Sequence, residues 1–139
     1  MTAGAEDEPI EPDVVMVAAA IIAREGRYLI ARRKSGTHLG GFWEFPGGKR
    51  ESGESLEACL ARELREELDV TISTPVAFRT IRHAYADKTI ELHFFRCSIQ
   101  EGEPEARECA EIRWVNPEEF PLYRFPPADD EILMALRQG

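Results

Sequence analysis

The chain has 139 residues, 43% of them hydrophobic, which suits one domain with a buried core. A net charge of −9 argues against a general polyanion-binding surface, and no apolar run reaches the length of a membrane helix, so neither nucleic acid nor a membrane is an expected partner. Cys59, Cys97 and Cys109 include no C-x-x-C pair, and we read them as reduced packing residues, with no disulfide framework and no structural zinc.

Residues 1–13 hold Glu6, Asp7, Glu8, Glu11 and Asp13 ahead of any basic residue, with Pro9 and Pro12, and read as an acidic disordered tail. Without those five acids, 21 acidic residues face 17 basic ones. No basic-then-apolar leader precedes the body, so a cytoplasmic protein is expected. Residues 14–139 are the single expected domain, with no internal repeat.

The apolar run Val14 to Ile22, a turn at Glu25-Gly26 and a second run from Tyr28 to Ala31 predict a β-hairpin. Phe42 to Phe45 reads as a brief strand entering Pro46-Gly47-Gly48. Ser55 starts a helix that ends before Asp69, and Val70 begins an extended stretch. Thr74 to Tyr85, a turn at Asp87-Lys88, and Thr89 to Gln100 read as one long hairpin, followed by a polar loop from Glu101 to Glu108. Ile112 to Val115 is a strand, Asn116-Pro117-Glu118-Glu119 a capped turn, and Asp129 to Arg137 a terminal helix with Asp129 or Asp130 near its N-cap. Periodicity alone gives an α/β or α+β class.

The helix after Ser55 carries the chemistry. At about 100° per residue, Glu63, Glu66 and Glu67 share one arc while Leu56, Leu60, Leu64 and Leu68 form a separate apolar stripe. Like charges at these spacings each cost a few tenths of a kcal/mol, so three converging glutamates suggest a compensating divalent ion. Carboxylate oxygens suit Mg²⁺ or Mn²⁺ better than zinc. The competing reading is a solvated charged face, with Arg62 placed to pair with Glu66 one turn on.

The spacing decides between them. Gly48, Glu54 and the run Arg62-Glu63-Leu64-Arg65-Glu66-Glu67 resemble the Nudix box, G-x5-E-x7-R-E-U-x-E-E-x-G-U with U aliphatic. The one departure is Asp69, where the family usually has Gly; Asp tolerates the left-handed backbone of a helix exit less readily than Gly does, so a slightly strained or differently shaped exit is expected, with no loss of the chemistry upstream. Trp43-Glu44-Phe45-Pro46-Gly47-Gly48-Lys49 and Phe125-Pro126-Pro127-Ala128-Asp129 further resemble the MutT-like branch, the nucleoside triphosphate pyrophosphohydrolases. Taken singly, Trp43 and Phe45 would be core aromatics and the two prolines a helix stop.

That resemblance implies the Nudix fold, a mixed β-sheet sandwiched between α-helices. It implies metal ligation by Glu63, Glu66, Glu67, the Gly47 carbonyl and Glu108, with Glu105 or Glu111 as substitutes for Glu108 and an exposed loop acid as its plain alternative. Glu54 and Arg62 would hold the loop to the helix through a charge-assisted hydrogen bond. Glu63 or Glu108 would serve as general base. Arg33 and Lys49 are either phosphate contacts or solvated residues, and His38 in the next loop is near the site or simply exposed. Asp129 either reads the base or caps the terminal helix; as a cap it would be replaceable by Asn with little change in stability.

The activity implied is Mg²⁺-dependent hydrolysis of a nucleoside triphosphate to the monophosphate and pyrophosphate, by a monomer or homodimer. An oxidised nucleotide such as 8-oxo-dGTP is the first expected substrate and a (d)CTP-type nucleotide the second. Hydrolysis of another nucleoside diphosphate derivative fits less well because it would leave the MutT-like ends unexplained, and a non-catalytic nucleotide-sensing module fits less well because the Arg62–Glu67 core is intact.

Overall fold

The computed structural model describes residues 14–139; the acidic tail assigned to residues 1–13 lies outside the described residues. Nine strands run β1 Val14–Arg24, β2 Arg27–Arg32, β3 Trp43–Glu44, β4 Gly47–Lys49, β5 Thr71–Ile72, β6 Val76–Ala84, β7 Thr89–Cys97, β8 Ile99–Glu101 and β9 Glu111–Val115. Helix α1 is Leu56–Leu68, helix α2 is Asp130–Gln138, and two 3₁₀ turns cover Pro117–Leu122 and Pro127–Asp129.

The main sheet runs β3-β2-β1-β7-β6, with β4 on β1 and β9 on β2. Its β1–β7 pair is parallel and the others antiparallel, so the sheet is mixed. The β1–β2 turn places Glu25 and Gly26 at φ 52° and 77°, the pair of positive angles a tight two-residue hairpin requires.

Strand β1 is buried from Ala18 to Ile22 because both of its faces are covered. Ala18, Ala20 and Ile22 pack with Leu60, Leu64 and Leu68 of α1, while Ala19 and Ile21 pack with Ile132 and Leu136 of α2. Successive residues of a strand point to opposite faces, so the two helices lie on opposite sides and the expected sandwich is what forms. The predicted leucine stripe does this, with Leu56 only partly buried and Cys59 joining the core. All three cysteines are free thiols.

The long hairpin is shorter than expected. β6 and β7 pair with an irregularity between Ala77 and Arg79, and the chain then leaves the sheet so that Ile99 and Glu101 pair with Ile72 and Thr71 of β5. That small second sheet sits beside the exit of α1.

Candidate active site

Helix α1 begins where the Ser55 side chain accepts the Ala58 N–H at 3.0 Å, an N-cap that satisfies one of the free amides of the first turn. Before it, the glycine loop is pressed against the molecule from both sides. A side chain at Gly47 would run into the Ala18 carbonyl, and one at Gly48 into the Glu63 carboxylate. Only glycine leaves room for that carboxylate so close to the backbone.

Arg62 ties the loop to the helix. It donates through Nε to Glu54 Oε2 at 2.6 Å and through Nη2 to Glu54 Oε1 at 3.0 Å, and through Nη2 also to the Lys49 carbonyl at 3.2 Å. The same guanidinium reaches Glu63 Oε2 at 3.0 Å and Glu66 Oε1 at 3.3 Å. The forked bond holds the Glu54 carboxyl down near pH 2, helped by the Glu51 N–H. The expected Glu54–Arg62 bond is therefore present, and so is the Arg62–Glu66 pair of the competing reading.

Glu63 and Glu67 face a more apolar setting. Burial lifts the Glu63 carboxyl, opposed by Arg62, with Glu66 and Glu108 adding to the rise. Glu67 is pushed up to about 8, by burial first and then by the charges of Glu44, Glu63 and Glu108, against a hydrogen bond from the Gly47 N–H, and its Oε1 is buried with no hydrogen-bond partner. A buried carboxylate oxygen without a donor costs free energy unless a proton or a cation meets it. Glu108 is exposed yet near enough to be felt by both glutamates, whereas Glu111 is engaged by Arg32 at 3.2 Å and Arg113 at 2.7 Å, and Glu105 lies 3.8 Å from Arg107.

The sequence reading missed Glu44. Burial raises its pKa against the opposing pull of Arg33, whose Nη1 donates to Glu44 Oε1 at 3.1 Å, and its charge acts on Glu67. The only signal was its position between Trp43 and Phe45, two residues buried as expected. Arg33 Nε also donates to the His38 carbonyl at 2.8 Å, so Arg33 anchors the loop at a strand end. His38 and Lys49 are exposed.

Beyond the glycine loop lies a pocket of about 500 Å³, lined among others by Arg33, Glu44, Lys49, Lys88 and Asp129. Asp129 is 7% exposed and makes no capping hydrogen bond to α2. Its φ of −89° and ψ of −2° are already helical, and a capping side chain needs an extended backbone to turn back onto the helix amides. Burial pushes its carboxyl up to about 7, with Glu44 and Asp130 adding to the rise.

The residues present fit a hard divalent cation: the carboxylates of Glu63, Glu67 and Glu108 act on one another, and one Glu67 oxygen is buried without a donor. Among the described residues no three acidic side chains are gathered around one point. Such an ion would rely on few protein oxygens together with water and phosphate, as Mg²⁺ usually does.

A family model for the NUDIX domain matches residues 17–135. The chain is 37% identical to a CTP pyrophosphohydrolase of Escherichia coli (strain K12) over 127 residues, 89% of this chain and 94% of that protein. It is 32% identical to an 8-oxo-dGTP diphosphatase of the same organism over 125 residues, 89% and 97% of the two chains. Among solved structures, the solution structure of the E. coli ORF135 protein superposes with a TM-score of 0.77 at 36% identity, covering 93% of this chain and 95% of that one. A box helix with its loop tied down by Arg62, a match over nearly the whole domain and relatives named as phosphohydrolases agree, and the chain belongs to the Nudix hydrolases, among their MutT-like members.

Proposed function

We propose that this hydrolase is a Mg²⁺-dependent nucleoside triphosphate pyrophosphohydrolase that releases the monophosphate and pyrophosphate. The observation that carries this reading is the Glu67 Oε1 atom, buried without a partner beside Glu63 and within the field of Glu44 and Glu108, next to a pocket large enough to take a small ligand such as a nucleotide. Bound there, Mg²⁺ would neutralise phosphoryl oxygens and lower the pKa of the attacking water.

Glu63, Glu66, Glu67, Glu108 and the Gly47 carbonyl supply ligand oxygens, and Glu63 or Glu108 takes the proton of the water. Arg62 keeps Glu63 and Glu66 in place while it holds Glu54 and the glycine loop. Lys49, exposed at the pocket rim, is the proposed phosphate contact, and Arg33 adds positive charge there while holding Glu44.

Asp129 is the proposed base reader. Protonated, it donates and accepts as Asn does and suits the adjacent O6 acceptor and N7–H donor of 8-oxoguanine, which supports 8-oxo-dGTP as substrate. Ionised, it only accepts and suits the exocyclic amine of cytosine. The 37% identical relative named for CTP supports this second reading. A pyrophosphate-release assay over normal and oxidised nucleoside triphosphates, with and without Mg²⁺, tests both. Turnover that survives exhaustive chelation would overturn the metal-dependent mechanism.

A further inference from the structure

Asp69 occupies the position where the family usually has Gly, and it adopts the left-handed conformation there, φ 61° and ψ 42°. Its N–H reaches the Arg65 carbonyl at 3.0 Å, so the backbone of the exit is made as a glycine would make it. The side chain does something a glycine cannot: Asp69 Oδ2 accepts from Arg107 Nη2 at 3.1 Å, across 38 residues of chain.

Arg107 belongs to the loop after β8 that carries Glu108. Residues 105–108 of that loop are all exposed, and the chain re-enters the core only after Glu108, at Cys109, with the Ala110 N–H on the Arg32 carbonyl at 2.8 Å. The loop is held to the end of α1 by main-chain bonds, Glu105 N–H to the Leu68 carbonyl at 3.0 Å and Arg107 N–H to the Glu67 carbonyl at 2.9 Å. The Glu108 N–H meets that same Glu67 carbonyl only at 3.4 Å, a long bond. Gly102, at φ 96°, lets the start of the loop lie against the Asp69 carbonyl.

We propose that Asp69 and Arg107 are a positioning pair, whose ion pair across the exit of α1 fixes the Glu108 loop in register with Glu67. The proposal rests on the reading of Glu67 and Glu108 as ligands of the catalytic metal. An ion pair about half exposed on both sides adds little to global stability. Its effect appears instead in the distance between two groups that must meet one ion, where small displacements matter.

The test compares Asp69→Gly, Arg107→Ala, the double variant and Arg107→Lys with the full-length protein. Turnover of one nucleoside triphosphate and the thermal shift with Mg²⁺ are both followed as Mg²⁺ is raised. We expect each of the first two to need about two- to fivefold more Mg²⁺ in both readouts, the range an exposed pair supplies. The double variant should be no worse than the worse single one, and Arg107→Lys should keep most of the wild-type response. Melting without metal should hold steady, or rise for Asp69→Gly because glycine takes the left-handed backbone at no steric cost. Wild-type Mg²⁺ dependence in both single variants, or effects that multiply in the double, would overturn the pair. Glu67→Gln with a wild-type Mg²⁺ response would instead overturn the metal reading, and the pair's role with it.

Discussion

Replacing Asp129 by Asn probes burial and base reading in one variant. The Asp129 carboxyl rises from 3.8 to about 7 on folding, with burial as the main cause and the charges of Glu44 and Asp130 behind it. Below about pH 4 it is protonated in both folded and unfolded chains and costs nothing. Between about pH 4 and 7 only the unfolded chain ionises, so stability falls as pH rises, and above about 7 the full cost is present. Roughly three pH units at 1.36 kcal/mol each set that cost at about 4 kcal/mol as a ceiling. Asn has no such charge. The variant should match the parent near pH 4 and exceed it near pH 8 by up to about 4 kcal/mol, on the order of 10 °C in Tm, in unfolding measured without metal or nucleotide.

The same variant tests recognition. At pH 8 it should move the kcat/KM ratio of 8-oxo-dGTP to dCTP toward 8-oxo-dGTP by roughly tenfold or more, the effect of about one good hydrogen bond. Near pH 6 the parent carboxyl is itself largely protonated, so the gap between variant and parent should narrow. Equal stability of the two proteins near pH 8 would refute the account of a buried, destabilising charge. An unchanged substrate ratio at both pH values would refute base reading.

Glu67→Gln and Glu63→Gln should keep the fold and lose most turnover at saturating Mg²⁺, and Glu67→Gln should gain metal-free stability as pH rises from about 4.5 toward 8, which steady-state kinetics and thermal melts will show. Mg²⁺ or Mn²⁺ should raise Tm by mass action, with no requirement for zinc, and the rise should be small in Glu67→Gln; a wild-type shift in that variant would remove Glu67 from the metal site. Arg62→Lys keeps the charge but cannot fork onto Glu54 while reaching Glu63, Glu66 and the Lys49 carbonyl, so turnover should drop by about tenfold or more. Retention of full activity there would show that a point charge suffices.

What the sequence disclosed was what short-range rules govern. The leucine stripe, the Ser55 cap and the left-handed Asp69 are set within one or two turns of α1, and each appears where the pattern places it. The departure of residues 99–101 from the β6–β7 hairpin was not legible, because it depends on a pairing with β5 more than 25 residues earlier. Glu44 was hidden for the same reason, its burial being set by Arg33 and by strands that meet only in the folded sheet. Asp129 was left open between two roles, and the backbone closed one of them: Pro126 and Pro127 lead into a 3₁₀ turn, so Asp129 enters α2 already helical and its carboxyl cannot turn back to cap.

Arg62 shows why the two readings of the glutamate arc were hard to separate on the sequence. A salt-bridged helix face and a cation site were set against each other, yet one guanidinium serves both, bonding Glu66 on the open side and Glu54 and Glu63 on the loop side. Glu67 is the acid of the arc that this arginine does not reach among the described bonds, and it is also the one whose oxygen is buried without a partner. Within the arc, that pairing leaves Glu67 without an arginine partner among the described bonds. On the proposed metal reading, Glu67 is the position of the arc where a cation would meet a buried carboxyl oxygen that no protein group bonds.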